Sequence, residues 1–112
     1  MTAPAHRIPP DCLLTLAVPL ALEEEILDAL LRWPELAPGF SVMQGQGMGA
    51  HIELATTMEK VQGRARRVIV QIALAQAHVA PLIGALKQTL ASAQIAYWVV
   101  PLMEFGRLGD PA

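Results

Sequence analysis

The chain has 112 residues, of which 54% are hydrophobic and 16% are charged, and its formal net charge is −2. This length suits one domain, and a small domain has a large surface that normally needs polar cover. The hydrophobic share therefore predicts that other copies of the chain cover part of the surface. The slightly negative charge argues against general attraction to nucleic acid or anionic membranes. The single cysteine, Cys12, excludes an internal disulfide.

The first third of the chain predicts a tail, a strand and a helix. Residues 1–11 are rich in Ala and Pro and have no period, which is typical of a loose tail. Residues 12–18 form a short apolar run that indicates a buried strand. The longer apolar run 12–22 is too short to cross a bilayer, so we expect a cytoplasmic protein without membrane insertion. A helix is predicted next, because apolar residues recur at helical spacing at Leu22, Ile26, Leu30 and Trp33.

The middle of the chain predicts two strands joined by a long loop. One strand starts at Phe40 and runs into a glycine-rich segment, and the next covers residues 64–74. The loop between them, residues 48–63, is long for a compact domain, and such loops are usually functional. We therefore expect a mobile loop that senses a ligand or docks on a partner protein. The residues predicted to meet the partner are His51, Glu53, Met58, Glu59, Lys60 and Arg64.

The last third predicts a helix, a strand and a short tail. Apolar spacing from Val79 to Leu90 indicates the helix, with Pro81 in its first turn. Residues 94–101 indicate the strand, and residues 109–112 a tail. The order strand, helix, strand, strand, helix, strand predicts an α+β, ferredoxin-like split βαβ domain over residues 12–108. That fold has a four-stranded antiparallel sheet with two helices on one face.

The alternation of residues along the strands predicts which sheet face meets the helices. One face of the third strand carries Val68, Val70, Ile72 and Leu74, and the other carries Arg67, Ile69, Gln71 and Ala73. The first face should pack on the helices. The second face is mixed rather than fully polar, which again favours an oligomer. Tyr97 and Trp98 alternate on the fourth strand, so one is expected in the core and the other at a subunit contact.

Three groups of residues near the loop are candidates for ligand binding. Gly45, Gly47 and Gly49 could present backbone N–H groups to an anion, or could simply form a bulge and a tight turn. His51, Glu53 and Met48 could contribute to a divalent or soft metal site, although a closed zinc site needs about four ligands. Arg64, Arg66 and Arg67 could hold phosphate or a partner's carboxylates, or could be solvated charges at a strand edge.

Residues 12–108 resemble the PII-like signalling superfamily. The resemblance lies in Gly45-Gln46-Gly47-Met48-Gly49-Ala50-His51, in the strand Arg67-Val68-Ile69-Val70-Gln71-Ile72, and in Tyr97-Trp98-Val99-Val100-Pro101 with its continuation to Leu108. In that superfamily the long loop is called the T-loop and the subunits form trimers. The chain is most similar to a branch often encoded beside heavy-metal efflux pumps of the resistance-nodulation-division type.

The resemblance implies a homotrimeric regulatory protein whose loop docks on a protein target, such as a component of a membrane efflux pump. It also implies an adenine nucleotide as an alternative ligand, held between subunits near Gly45, Gly47, Arg67 and Arg107. One departure concerns the second glycine-rich loop of nucleotide-binding members, which ends in lysine. Here that place is Ala91-Ser92-Ala93. The basic C-terminal strand of those members is reduced to Arg107.

Catalysis and RNA binding are not expected. The sequence has no nucleophile-and-base pattern and no phosphate-binding loop ending in Gly-Lys-Ser/Thr. RNA binding by this fold needs exposed aromatic residues on the third strand, and residues 67–73 contain none. Three hypotheses remain: a docking regulator, a nucleotide sensor, and a metal-binding protein that uses the His, Glu and Met residues of the loop. No cofactor follows with certainty from the residues.

Overall fold

The computed structural model describes residues 8–111; residues 1–7 and 112, which belong to the predicted tails, lie outside the described residues. A 3-10 turn, Leu20–Leu22, joins the first strand to the first helix. The helices and strands in chain order are β1 (Cys12–Pro19), α1 (Glu23–Leu31), β2 (Ser41–Gly47), α2 (Thr57–Gln62), β3 (Ala65–Leu74), α3 (Gln76–Thr89) and β4 (Ala96–Pro101).

The four strands form one antiparallel sheet in the order β2-β3-β1-β4. β1 lies between β3 and β4, so β2 and β4 are the edge strands. α1 connects β1 to β2 across β3, and α3 connects β3 to β4 across β1. This interleaving of two crossover units is the split βαβ arrangement, so the predicted ferredoxin-like fold is confirmed.

The predicted helix-facing side of the sheet is also confirmed, because its residues are buried in the single core. In β1 these residues are Cys12, Leu14, Leu16 and Val18, and in β3 they are Val68, Val70, Ile72 and Leu74. The helices contribute Ile26, Ala29, Leu30, Leu82, Ile83 and Leu86 to the same cluster. Each large apolar side chain buried in this way stabilises the fold by about 1.5–3 kcal/mol relative to exposure.

The opposite face of the sheet and the edge strand β4 remain open. Trp98 lies on that face beside Thr15, whereas Tyr97 pairs with Leu16 on the helix side. Tyr97 is 46% exposed and Trp98 is 48% exposed, so neither is a core residue in the single chain. The prediction that one of them belongs to the core was wrong, because β4 is an edge strand whose six residues are all exposed.

Asp11 is part of the fold, although its place in the sequence predicted a loose tail. Its N–H donates to the Leu74 carbonyl (3.1 Å), and its carbonyl accepts from the Leu102 N–H (3.0 Å). Its carboxylate Oδ1 accepts from the Gln76 N–H (2.8 Å), at the first residue of α3. The carboxylate therefore satisfies one of the free N–H groups with which a helix begins.

The start of α3 corrects the prediction for Pro81. The helix begins at Gln76 rather than near Val79, so Pro81 lies inside it and not in its first turn. Proline has no N–H, and the carbonyl four residues earlier therefore loses its usual helical donor. The contact with Asp11 stabilises the N-terminal end, and Leu82, Ile83 and Leu86 hold the rest of the helix on the sheet.

Replacement of Leu14 by alanine tests the central position of β1. Leu14 is fully buried in the core, and removal of such a side chain typically costs about 2–5 kcal/mol because it leaves a cavity. We expect Leu14→Ala to lower the free energy of unfolding in denaturant titration by about 3 kcal/mol. The matched control is Leu31→Ala, at an exposed position of α1. Equal losses for the two variants would contradict the described core.

Candidate functional site

The long loop between β2 and β3 contains a short helix, α2, with defined caps at both ends. At the N-terminus, the Thr56 hydroxyl accepts a hydrogen bond from the Glu59 N–H (3.1 Å). At the C-terminus, Gly63 has a φ of +70°, and its N–H donates to the Glu59 carbonyl (2.8 Å). This helix was not predicted from the sequence. Its signals were present, since threonine three residues before glutamate begins many helices and glycine ends them.

Glu59 connects α2 to the sheet through hydrogen bonds. One carboxylate oxygen accepts from the Ala55 N–H (2.7 Å) and the other from the Arg66 N–H (3.0 Å) in β3. The side chain is only 5% exposed. These backbone hydrogen bonds, first that from Ala55 and then that from Arg66, lower the pKa of the Glu59 carboxyl from its ordinary value of 4.5. Glu59 was predicted to meet a partner, but it is buried, and its carboxylate accepts backbone N–H groups of the loop and of β3 instead.

The other predicted docking residues lie at the surface of the loop. Met58 and Val61 of α2 are 53% and 77% exposed, although both are apolar. The guanidinium Nη1 of Arg64 donates to the side-chain oxygen of Gln46 on β2 (3.3 Å). Val61 was not among the predicted docking residues. The remaining exposed positions of this predicted surface are His51, Glu53 and Lys60.

Gly45 and Gly47 lie in β2 with ordinary strand geometry. They pair with Arg67 and Ala65 of β3, and neither has a positive φ. They therefore do not form the concave turn of an anion-binding nest, whereas Gly49, just beyond the strand, has a φ of +125°. Their small size admits side chains from β3. A Cβ on Gly45 would lie 3.1 Å from Ile69 Cγ1, and one on Gly47 would lie 2.9 Å from the Arg67 Nε.

Arg67 connects the base of the loop with the segment between α3 and β4. Its side chain is 5% exposed and passes beside Gly47. Its Nη1 donates to the carbonyl oxygen of Gln94 (2.9 Å). Because this partner is neutral, the contact does not compensate the guanidinium charge. A buried positive charge of this kind favours an anionic ligand nearby.

The strand register separates the predicted anion-binding residues Gly47 and Arg67 from the end of β4 that precedes Arg107. Gly47 and Arg67 lie near the Pro19 end of β1, since Arg67 pairs with Pro19. Arg107 follows β4, which ends beside Cys12 at the other end of β1. Those two ends are about 23 Å apart at roughly 3.3 Å per residue. Arg107 therefore lies on the segment that leaves the sheet at the end remote from Gly47.

Within residues 8–111, the structure brings together no group of three or more His, Cys, Asp or Glu side chains that could hold a metal ion. The candidates His51, Glu53 and Met48 therefore remain without the further ligands that a closed site needs. Cys12 is buried, as expected, and its thiol donates to the Leu74 carbonyl (3.2 Å). Burial raises the pKa of this thiol, which disfavours the reactive thiolate.

None of the helices within residues 8–111 combines the length and the apolar character that crossing a membrane requires.

Replacement of Glu59 tests its hold on α2. The two backbone N–H groups reach different carboxylate oxygens, and Glu59→Gln replaces one of those acceptors with an NH2 donor, so one of the two bonds is lost. We expect faster hydrogen exchange at the Ala55 and Arg66 amides, while the amides of β1 keep their protection. Glu53→Gln, an exposed carboxylate in the same loop, is the matched control. Unchanged exchange in Glu59→Gln would show that the carboxylate does not hold the helix.

The lowered pKa of Glu59 makes its contribution to stability depend on pH. The group stabilises the folded chain fully above the unfolded value of about 4.5, and this stabilisation is lost as the pH falls through the lower folded value. We expect the difference in unfolding free energy between the wild type and Glu59→Gln to shrink below that pH. In parallel, the Arg66 amide resonance should titrate with a midpoint below 4.5. A midpoint at or above that value would contradict the two hydrogen bonds.

Comparisons with known proteins agree with this fold. A structure of a DUF3240 family protein from Shewanella baltica OS155 superposes with a TM-score of 0.71 at 23% identity, covering 90% of this chain and 99% of that one. CPII from Thiomonas intermedia K12 is a nitrogen regulatory PII-like protein whose structure contains ADP, AMP and bicarbonate. It superposes with a TM-score of 0.65 at 19% identity, covering 88% of this chain and 94% of that one. No match was found among curated proteins.

The similarity to CPII confirms the resemblance to the PII-like superfamily at the level of the fold. A family model described as "Protein of unknown function (DUF3240)" matches residues 8–109, which is nearly the whole chain. The chain therefore belongs to the DUF3240 family and has the fold of PII-like proteins.

Proposed function

We propose that this protein is a regulatory protein of the PII-like type, not an enzyme, and that it acts by docking residues 48–63 on a partner protein. An anionic effector at the base of the loop, an adenine nucleotide, controls the docking. The observation that carries this proposal is the attachment of α2 to β3 through Glu59. It presents a helix in the loop and ties the position of that helix to the strand that carries Arg67.

The exposed side of α2 provides the docking surface. Glu59 faces the sheet, whereas Met58 and Val61 point their apolar side chains towards solvent. Exposed apolar residues on a short helix fit a hydrophobic groove of a partner. Lys60 between them adds a positive charge that favours an acidic rim. Methionine adapts its shape to such grooves because its side chain is unbranched and flexible.

Two neighbouring residues of β3 couple the effector to the loop. The Arg66 N–H holds the Glu59 carboxylate, and the Arg67 guanidinium holds the Gln94 carbonyl. A phosphate that binds Arg67 competes with Gln94 for the same N–H donors and is favoured by its charge. A shift of Arg67 would move the adjacent Arg66 amide, which bonds Glu59, and would thus change the position of α2. The effector would then act by changing the population of loop positions that the partner accepts.

Adenine nucleotides are the proposed effector class because CPII, which shares the fold, binds ADP and AMP. The proposed phosphate site lies at Arg67, beside Gly47, and does not include Arg107, which follows the far end of β4. The resemblance to PII-like proteins implies a trimer, and the mixed face of the sheet opposite the core, together with the exposed edge strand β4, supports association. We propose no metal site.

The proposed partner is a protein component of a heavy-metal efflux pump. This choice rests on the resemblance to the branch encoded beside such pumps, while the exposed apolar side of α2 supports a protein partner in general.

Replacement of Arg67 tests the effector site. We expect Arg67→Gln, which removes the charge but keeps a donor for Gln94, to weaken adenine nucleotide binding at least about tenfold, a loss of roughly 1.4 kcal/mol. Isothermal titration calorimetry with ATP, ADP and AMP measures the change. The matched control is Arg66→Gln, an exposed arginine next in sequence. Binding that is absent in the wild type, or equal in both variants, would contradict the effector site.

Replacement of Met58 tests the docking surface. Met58→Asp places a charge on the exposed side of α2 without touching the Glu59 contacts, so the fold should remain intact. We expect this variant to lose co-purification of the efflux component from cells that express both proteins. Leu31→Asp, at an exposed apolar position of α1 outside the loop, should keep it. Retention of the partner by Met58→Asp, or no co-purification by the wild type, would contradict docking through α2.

A further inference from the structure

A shallow apolar groove runs between α3 and the edge strand β4. It has a volume of about 510 Å³ and is lined mainly by Val79, Ala80, Ile83, Tyr97 and Val99. Lys87 lies at its side and is the one charged residue of the lining. The groove lies on the helix side of the sheet, away from the loop and from Arg67. Nothing in the proposed function uses it.

The segment that follows β4 carries apolar side chains that are exposed to solvent in the single chain. Met103 and Leu108 are fully exposed, and Phe105 is 45% exposed. The segment then closes in a turn, in which the Arg107 N–H donates to the Asp110 carboxylate (2.8 Å) and the Asp110 N–H to the Arg107 carbonyl (2.9 Å). A small domain rarely leaves three large apolar residues exposed at one end without a partner surface.

This segment leads away from the groove of its own chain. The Leu102 N–H donates to the Asp11 carbonyl, which continues the antiparallel pairing of β4 with β1 beyond Cys12. The carboxylate of the same Asp11 holds the start of α3. The chain therefore leaves the sheet at the N-terminal end of α3 and would have to reverse at once to enter its own groove.

We propose that the groove between α3 and β4 receives residues 102–108 of a second copy of this chain. The apolar side chains Met103, Phe105 and Leu108 match the apolar lining. Glu104, the one charged residue between Leu102 and Gly106, matches Lys87. Contacts of this kind are heterologous, with the end of one copy on the side of the next, and they close into a ring when the rotation allows.

This inference goes beyond the proposed function, because it assigns a contact between copies that neither the effector site nor the docking loop requires. It also gives the exposed Tyr97 a role, since this residue borders the groove. The face of the sheet that carries Trp98 remains available for a separate contact.

Site-specific cross-linking tests the contact. Glu104→Cys and Lys87→Cys are each made in a Cys12→Ser background, in which serine can keep the hydrogen bond to Leu74. The two proteins are co-expressed with tags of different mass and oxidised mildly. We expect a disulfide between the two differently tagged chains, at least about tenfold more abundant than with Gln88→Cys, the exposed neighbour of Lys87, because docking raises the local concentration of the thiols.

The alternatives give different products. A chain that carries both cysteines and closes a disulfide without an increase in mass would show that the segment occupies its own groove, and this would overturn the proposal. Equal cross-linking of Lys87→Cys and Gln88→Cys would overturn it as well. Either outcome would leave the proposed function in place, provided that the wild type still associates in light scattering.

Replacement of Leu108 gives an independent measurement without cysteine chemistry. Leu108→Asp should shift the mass measured by light scattering towards the single chain, whereas Leu31→Asp on α1 should not. Both leucines are exposed in the single chain, so neither change should affect folding, which circular dichroism checks. A mass unchanged by Leu108→Asp, or a wild type that is already a single chain, would overturn the proposal.

Discussion

The structure depends on a sheet that packs its two long helices, α1 and α3, on one face. The alternation along β1 and β3 sends one set of residues into the core beneath α1 and α3 and the other set to the open face. β1 and β3 are protected by neighbours on both sides, but β4 is an edge strand and stays exposed along its whole length. The apolar surface that the sheet leaves open therefore lies on both edge strands, β2 and β4, on the residues after β4 and on the second face.

The first residues of β3 connect the sheet to the loop. Arg66 contributes its backbone N–H to Glu59, and Arg67 contributes its side chain to Gln94. The loop helix and the segment before β4 are thus connected through two consecutive residues. Gly47 makes this possible, since any larger residue there would meet the Arg67 side chain. An effector that moves Arg67 therefore acts one residue away from the hydrogen bond that positions α2.

The fold was predictable because its strongest signals are local. The period of two in the strands predicted both sheet faces, and the order of elements predicted the topology. The predictions were wrong where tertiary contacts determine the local structure. Asp11 stabilises the start of α3, so Pro81 falls inside the helix rather than in its first turn. Glu59 looked like a solvent-exposed loop residue, although the spacing from Thr56 and the glycine at position 63 indicated a capped helix. Arg107 was grouped with Gly47 by resemblance, but the strand register places Gly47 near the Pro19 end of β1 and the end of β4, which Arg107 follows, beside Cys12.

The most direct test of the account is hydrogen exchange across residues 55–66 with and without saturating adenine nucleotide, in the wild type and in Arg67→Gln. We predict that nucleotide changes the exchange of the Ala55 and Arg66 amides in the wild type, because the position of Arg67 is coupled to the position of α2. We predict no such change in Arg67→Gln. Identical exchange with and without nucleotide in the wild type would contradict the coupling and leave the loop as a surface without an effector at its base.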